Sequence, residues 1–216
     1  MSADAEKRLA AETAVDLIEP HTRVGLGTGT TVAYLLDAIA RRGIAAHFVA
    51  TSPGTAEAAR GLGIVVESFD ELDELDLAID GADQIAPDGW LVKGRGGAHL
   101  REKIAAASAR RFVVIADSSK PVAALHAPIP LELHRFGLRA TLRQLGAVTL
   151  RDALPSPDGG VLADYHGDVD QPRELSSRLD AMAGVSAHGL FAPDTVSEII
   201  VATGKTVSRR TLGGPR

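Results

Sequence analysis

Arg23-Val24-Gly25-Leu26-Gly27-Thr28-Gly29-Thr30-Thr31 is a short β-prone run that closes in a glycine–threonine loop. Beyond it, Leu35, Leu36 and Ile39 fall on one face of a helix over Val32–Arg42, and Gly43 is placed to cap its end. A strand, a tight turn and a helix in so few residues predict the first crossover of a parallel α/β sheet. Glycines in such a turn bring backbone N–H groups close to an anion, and the following helix presents its positive end. Thr28, Thr30 and Thr31 add hydroxyl donors. The loop therefore reads either as a phosphate cradle or as a tight βα turn with threonine caps. It has no P-loop lysine, and Thr30 stands where a dinucleotide fingerprint has Gly or Ala.

The pattern extends in both directions. Leu9, Thr13 and Leu17 predict a helix over residues 3–19, stopped by Pro20. Downstream, Ile44–Ala50, Ile64–Val66 and Leu75–Asp80 read as strands and Thr55–Leu62 as a helix. Leu77-Ala78-Ile79 is a continuous apolar run, as in a strand covered on both faces. Trp90–Lys93 and Phe112–Ala116 read as further strands, with Leu100–Arg110 as a helix between them. After Pro121 the texture changes, broken by Pro128, Pro130, Pro155 and Pro157. Arg139–Leu145 and Pro172–Met182 read as helices, Gly160–Asp164 and Val185–Phe191 as strands, giving βαββαβ-like material. Ser197–Thr203 reads as a strand returning to the main sheet. The expected organisation is one α/β domain over residues 1–125 plus 197–216, with a small α+β subdomain over 126–196.

Composition narrows the chemistry. The chain has 216 residues, 22 of them Gly and none Cys. Without cysteine there is no disulfide scaffold, thiolate metal site, iron–sulfur cluster or cysteine nucleophile. Seven scattered histidines form no i, i+4 pair and no HExxH, so no zinc site is supported. The formal charge of −5 argues against a nucleic-acid partner. No stretch approaches the roughly 18 apolar residues of a membrane span, and residues 1–8 lack a secretory signal pattern. A cytoplasmic protein without a membrane partner is the expectation.

Two further segments stand at strand ends, where open α/β sheets bind ligands. Asp80-Gly81-Ala82-Asp83 sets two carboxylates around a permissive glycine, able to hold sugar hydroxyls or to form a solvated turn. Lys93-Gly94-Arg95-Gly96-Gly97-Ala98-His99-Leu100-Arg101-Glu102-Lys103 places a cation at a strand end, then a glycine-rich loop, then an acid in the first turn of a helix. Helix-dipole complementation alone would account for an acid there. His99 reads as a surface residue. Asp117-Ser118-Ser119-Lys120 places one more lysine at a strand end.

In this order and spacing, the segments Gly25–Thr31, Asp80–Asp83 and Lys93–Lys103 resemble ribose-5-phosphate isomerases of the A type, with Asp117–Lys120 as a weaker fourth match. The likeness runs over nearly the whole chain. It implies a Rossmann-like, mostly parallel sheet with an inserted ferredoxin-like α+β subdomain. It also implies a homodimer or homotetramer, no metal and no organic cofactor. The activity implied is the interconversion of ribose 5-phosphate and ribulose 5-phosphate through an enediolate. Glu102 would then be the proton acceptor, and Asp80, Asp83 and Lys93 would handle the sugar oxygens. Thr28, Gly29, Thr30, Thr31, Gly81, Ala82, Gly94, Gly96 and Lys120 would hold the substrate, and Lys7 would help with its phosphate. The sequence departs from the family pattern at Gln84, where Glu is usual, and at Arg95, which interrupts a glycine–alanine run. These departures keep in view an isomerase of another phosphorylated sugar; a non-catalytic sugar-phosphate sensor, as in repressor effector domains of the same architecture, is the second alternative.

Overall fold

The computed structural model describes residues 2–214. In chain order the elements are α1 (Ala3–Val15), β1 (Arg23–Leu26), α2 (Thr30–Arg42), β2 (His47–Ala50), α3 (Pro53–Gly61), β3 (Val66–Glu67) and β4 (Leu75–Asp80). Then come β5 (Gln84–Ile85), β6 (Leu91–Val92), α4 (His99–Ser108), β7 (Ala109–Asp117), β8 (Ile129–Leu133), α5 (Leu138–Leu145), β9 (Val148–Leu150) and β10 (Val161–Tyr165). The chain ends with α6 (Pro172–Asp180), β11 (Val185–His188), β12 (Leu190–Phe191), β13 (Glu198–Thr203) and β14 (Thr206–Thr211). No helix among the described residues is long and apolar enough to cross a membrane.

Two compact units divide the chain. The first gathers the residues up to Ala82, Arg101–Lys120 and the chain from Pro193 onward. Its sheet has the order β14-β13-β7-β4-β1-β2-β3. Pairing is parallel throughout except for the edge hairpin β13–β14. The central strands β4, β7 and β13 are buried almost end to end. That is why they read as unbroken apolar runs rather than alternating ones. Ala10 and Ala14 of α1 and Leu35, Leu36 and Ile39 of α2 pack with Leu26, Ile79, Val113, Ile115 and Ile200 of the sheet. On the other face Ala105 of α4 lies beside Gly25 and Ala78. Gly43 closes α2 with a left-handed φ of 59°, as its position predicts.

The second unit holds Asp83–Leu100 and Pro121–Ala192. Segment 83–100, which the sequence reading leaves with the first domain, groups here because β5 and β6 pair with β12 in a three-stranded sheet. The larger element is βαββαβ: β8, α5, β9, β10, α6 and β11 form an antiparallel sheet of order β11-β8-β10-β9, which is the ferredoxin-like arrangement. Trp90, Leu131, Leu133, Leu145, Leu175 and Leu179 share its core.

The strand expected over Val185–Phe191 is in fact two. β11 pairs with β8, and β12 pairs with β6 in the other sheet. Gly189 makes the transfer: its N–H donates to the Pro130 carbonyl at 2.7 Å, and its carbonyl accepts from the Lys93 N–H at 2.8 Å. The first helix ends at Val15 rather than 19. Strands β5, β8, β9 and β14 go unread in the sequence. Pro128 and Pro130 disguise β8, and β14 is a mostly exposed polar edge.

Ile79 is fully buried in the centre of the parallel sheet. Ile79→Ala removes its side chain without collapse of the surrounding strands and is expected to lower unfolding free energy by about 2–5 kcal/mol, read from urea melts.

Candidate active site

In the first unit the candidate residues collect at the carboxyl edge of the sheet. β1 and β4 run parallel with Leu26 opposite Ile79, so the glycine–threonine loop and Asp80 leave the sheet side by side. Asp80 is 3% exposed. Its Oδ1 accepts the N–H groups of Gly81 at 2.7 Å and Thr28 at 3.1 Å. A Cβ at position 27 would fall 1.9 Å from that carboxyl. Gly27 is therefore a glycine because the carboxylate occupies the space of a side chain. Burying a charge is costly unless hydrogen bonds replace water, and these two N–H groups supply them.

Thr28 is braced from α3 and the residues before it. Its hydroxyl meets that of Thr51 at 3.1 Å, and the Thr55 hydroxyl donates to the Gly27 carbonyl at 2.9 Å. Ser52 caps α3 by accepting the Thr55 N–H. Sequence reasoning misses Thr51, Ser52 and Thr55. The Ser52-Pro53 helix start was the available signal. Gly29 and Thr30 are exposed at the start of α2, while Thr31 is buried.

Glu102 lies in the first turn of α4 and is 4% exposed. α4 runs directly into the amino end of β7, so its own amino end lies toward the carboxyl edge of the sheet. The turn after β7 carries Lys120, whose N–H donates to the Asp117 carbonyl, while Asp117 Oδ1 accepts the Ser119 N–H at 2.9 Å. Lys7 on α1 is half-buried with Nζ 3.6 Å from Asp4.

Beside Lys7 stands Glu6, which no local pattern marks out. Its Oε2 accepts both the N–H of Ser118 at 3.0 Å and its hydroxyl at 2.6 Å, and its Oε1 accepts the Gly204 N–H at 2.7 Å. One buried carboxylate thus ties the helix bearing Lys7 to the turn bearing Lys120. The Ser118 hydroxyl, then the backbone N–H groups of Gly204 and Ser118, lower its pKa from 4.5 to about 2.

In the second unit Lys93 is 2% exposed, with Nζ 5.5 Å from the centre of the Phe191 ring. Asp83 donates its N–H to the Val92 carbonyl at 2.8 Å, and its Oδ2 accepts the Arg95 N–H at 3.1 Å. Gly94 has a φ of 100°, and a Cβ there would strike the His99 ring. His99 is fully buried, correcting the expectation of a surface residue. Gly96 is exposed, and in the first unit Gly81 and Ala82, next to Asp80, are half-buried. The Arg95 side chain is 81% exposed, with Nε 3.9 Å from Asp83.

Gln84 has a structural task. Its amide donates to the His126 carbonyl at 2.8 Å and accepts the His126 N–H at 2.9 Å. A carboxylate could make only the second of these bonds.

With this geometry in hand, comparison with known proteins is specific. The family described as ribose 5-phosphate isomerase A (phosphoriboisomerase A) matches residues 47–206. Ribose-5-phosphate isomerase A of Caulobacter vibrioides (strain NA1000 / CB15N) is 40% identical, over 97% of this chain and 99% of that relative. The Gluconobacter oxydans (strain 621H) protein of the same name is 39% identical, over 91% and 92%. The crystal structure of ribose 5-phosphate isomerase A from Neisseria gonorrhoeae superposes with a TM-score of 0.92 at 33% identity, covering 100% of this chain and 98% of that one. A D-ribose-5-phosphate isomerase in complex with phospho-erythronic acid gives 0.91 at 30% identity, covering 98% and 100%.

Because the folded-state pKa of Glu6 is depressed, its stabilisation is present above about pH 4.5 and is lost as pH falls toward 2. Glu6→Gln is expected to lower the melting temperature at neutral pH. The gap from the parent should narrow steadily in melts recorded below pH 4.5.

Proposed function

The chain belongs to the ribose 5-phosphate isomerase A family, and from that premise we propose that it interconverts D-ribose 5-phosphate and D-ribulose 5-phosphate through an enediolate. The observation that carries the reading is the pair of buried carboxylates Asp80 and Glu102 at the carboxyl edge of the parallel sheet, beside a loop rich in N–H and hydroxyl donors. A phosphosugar offers an anion for such a loop and hydroxyl protons for such carboxylates.

The residue roles follow from the chemistry of each step. Ring opening needs a proton removed from O1 and one delivered to the ring oxygen, work assigned to Asp80 and Asp83. Glu102 then takes the C2 proton of the open aldehyde. Electrons from that C–H bond form the C1–C2 double bond, and the charge moves onto O1. A carboxylate is a weak base, so that oxygen needs a cation, and Lys93 supplies it; fixed charges of this kind contribute several kcal/mol. The O2 proton passes to O1, and Glu102 returns its proton at C1 to give the ketose. Atoms and charge balance without a redox partner.

Thr28, Gly29, Thr30, Thr31 and Lys120, with Lys7, are assigned to the phosphate. Gly81, Ala82, Gly94 and Gly96 are assigned to the sugar. The exposed Arg95 leaves room for a different phosphorylated aldose, which a substrate series tests. A homodimer or homotetramer in the cytoplasm belongs to the same proposal.

Purified protein in excess EDTA is expected to convert ribose 5-phosphate to ribulose 5-phosphate at its full rate, and faster than other aldose phosphates, in a coupled ketose assay. Glu102→Gln is expected to reduce kcat by about 10²–10⁴ or more, while phosphosugar binding by calorimetry stays near that of the parent. A near-normal rate in this variant would overturn the base assignment.

A further inference from the structure

The second unit contains a side chain that none of the proposed proton transfers uses. Arg151 follows β9 and is mostly buried, with 16% of its side chain exposed. Its Nε donates to Asp164 Oδ2 at 2.9 Å and its Nη2 to Oδ1 at 2.7 Å, a two-pronged bond to a residue of β10. Such a fork fixes the plane of the guanidinium as well as its position. The remaining nitrogen, Nη1, donates to the carbonyl of Gly94 at 3.2 Å and to that of Arg95 at 3.1 Å. Both carbonyls lie in the loop directly after Lys93.

Peptide planarity turns these contacts into a statement about N–H groups. In a trans peptide the C=O of one residue and the N–H of the next point in opposite directions. The Gly94 carbonyl faces Arg151, and the Arg95 N–H on the same plane donates to Asp83 Oδ2 at 3.1 Å. That peptide is held at both edges. The next plane has its carbonyl on the same guanidinium, so the Gly96 N–H also points away from Arg151. Arg95 and Gly96 are exposed, while Gly94 is buried. Asp83, Arg95, Arg151 and Asp164 line one cavity of about 260 Å³. A loop with glycines at 94, 96 and 97 has many accessible peptide orientations; from within the loop only the Gly97 N–H reaches one of these carbonyls, that of Gly94 at 3.0 Å, and the Arg95 carbonyl and N–H are held from outside it by Arg151 and Asp83.

We infer that Arg151, locked by Asp164, is a positioning residue for the isomerase: it selects the two peptide orientations after Lys93 that present the Gly96 N–H to an oxygen of the bound phosphosugar. Neutralisation by Asp164 lets the guanidinium hold carbonyls without adding a net cation to the loop. Lysine cannot replace it, because a single ammonium cannot hold a carboxylate with two parallel bonds and two carbonyls at once. The assignment rests on the isomerase reading.

The test uses Arg151→Met, Arg151→Lys and the double variant Arg151→Met with Asp164→Leu, which leaves no carboxylate uncompensated. Each is assayed for turnover of ribose 5-phosphate, for binding of phospho-erythronic acid by calorimetry, and for melting temperature. R151M and the double variant are both expected to lose roughly tenfold or more in kcat/KM and to bind phospho-erythronic acid more weakly by a similar factor, with R151K between them and the parent. Recovery of parental kcat/KM in the double variant would show that the single variant suffered only from an orphaned Asp164, and would overturn the inference. Parental kinetics and binding in folded R151M would do the same. If R151M does not fold, the double variant carries the decision. Failure of the parent itself to turn over ribose 5-phosphate would instead remove the isomerase reading, and phospho-erythronic acid binding would still report on Arg151.

Discussion

The carboxylate of Asp80 rests where a side chain at position 27 would be, and much of the first unit follows from that contact. It requires β1 and β4 to be neighbours in parallel register, so that both turns leave the sheet at the same height. It requires glycine at 27, since any Cβ would overlap the carboxyl. It also requires N–H groups to replace lost hydration, and Thr28 and Gly81 provide them. The glycine–threonine loop is thereby shaped around a charge before any ligand arrives.

The same logic recurs at two other places in the chain. Glu6 gathers three donors from the β7 turn and the β13–β14 hairpin, and so sets the turn bearing Lys120 against the helix bearing Lys7. In the second unit, Asp83 and Arg151 take opposite edges of the peptide after Gly94. Each case uses a long-range charged side chain to hold flexible backbone in one orientation. Glycine loops approach a ligand closely but are conformationally permissive, so side chains from outside add to the loop's own Gly97–Gly94 bond in offsetting the cost of ordering it.

Much of this was legible in the sequence. Continuous apolar runs such as Leu77-Ala78-Ile79 announce strands covered on both faces, and Gly43 marks its helix end because only a left-handed residue closes that turn. The three loop segments are visible for a related reason: glycine, aspartate and lysine at strand ends have little to offer packing and much to offer a ligand. Less visible were β8 and β14, for different reasons. In β8 the alternation of Ile129, Leu131 and Leu133 is masked by the prolines at 128 and 130, whereas β14 is largely exposed and shows no apolar pattern. The burial of His99 and the split at Gly189 depend on neighbours distant in sequence.

By itself the sequence determined the α/β class and marked the candidate loops and the residue types proposed to move protons, because periodicity and turn chemistry are local. Tertiary structure decided which residues hold those loops still. Gln84, singled out as a departure that raised substrate identity, is occupied with the His126 backbone. Arg151, Asp164 and Glu6, unremarkable as letters, are partners of the loops. Their bonds join residues 13 to 198 positions apart, and no local pattern encodes a hydrogen bond formed only when the chain closes on itself.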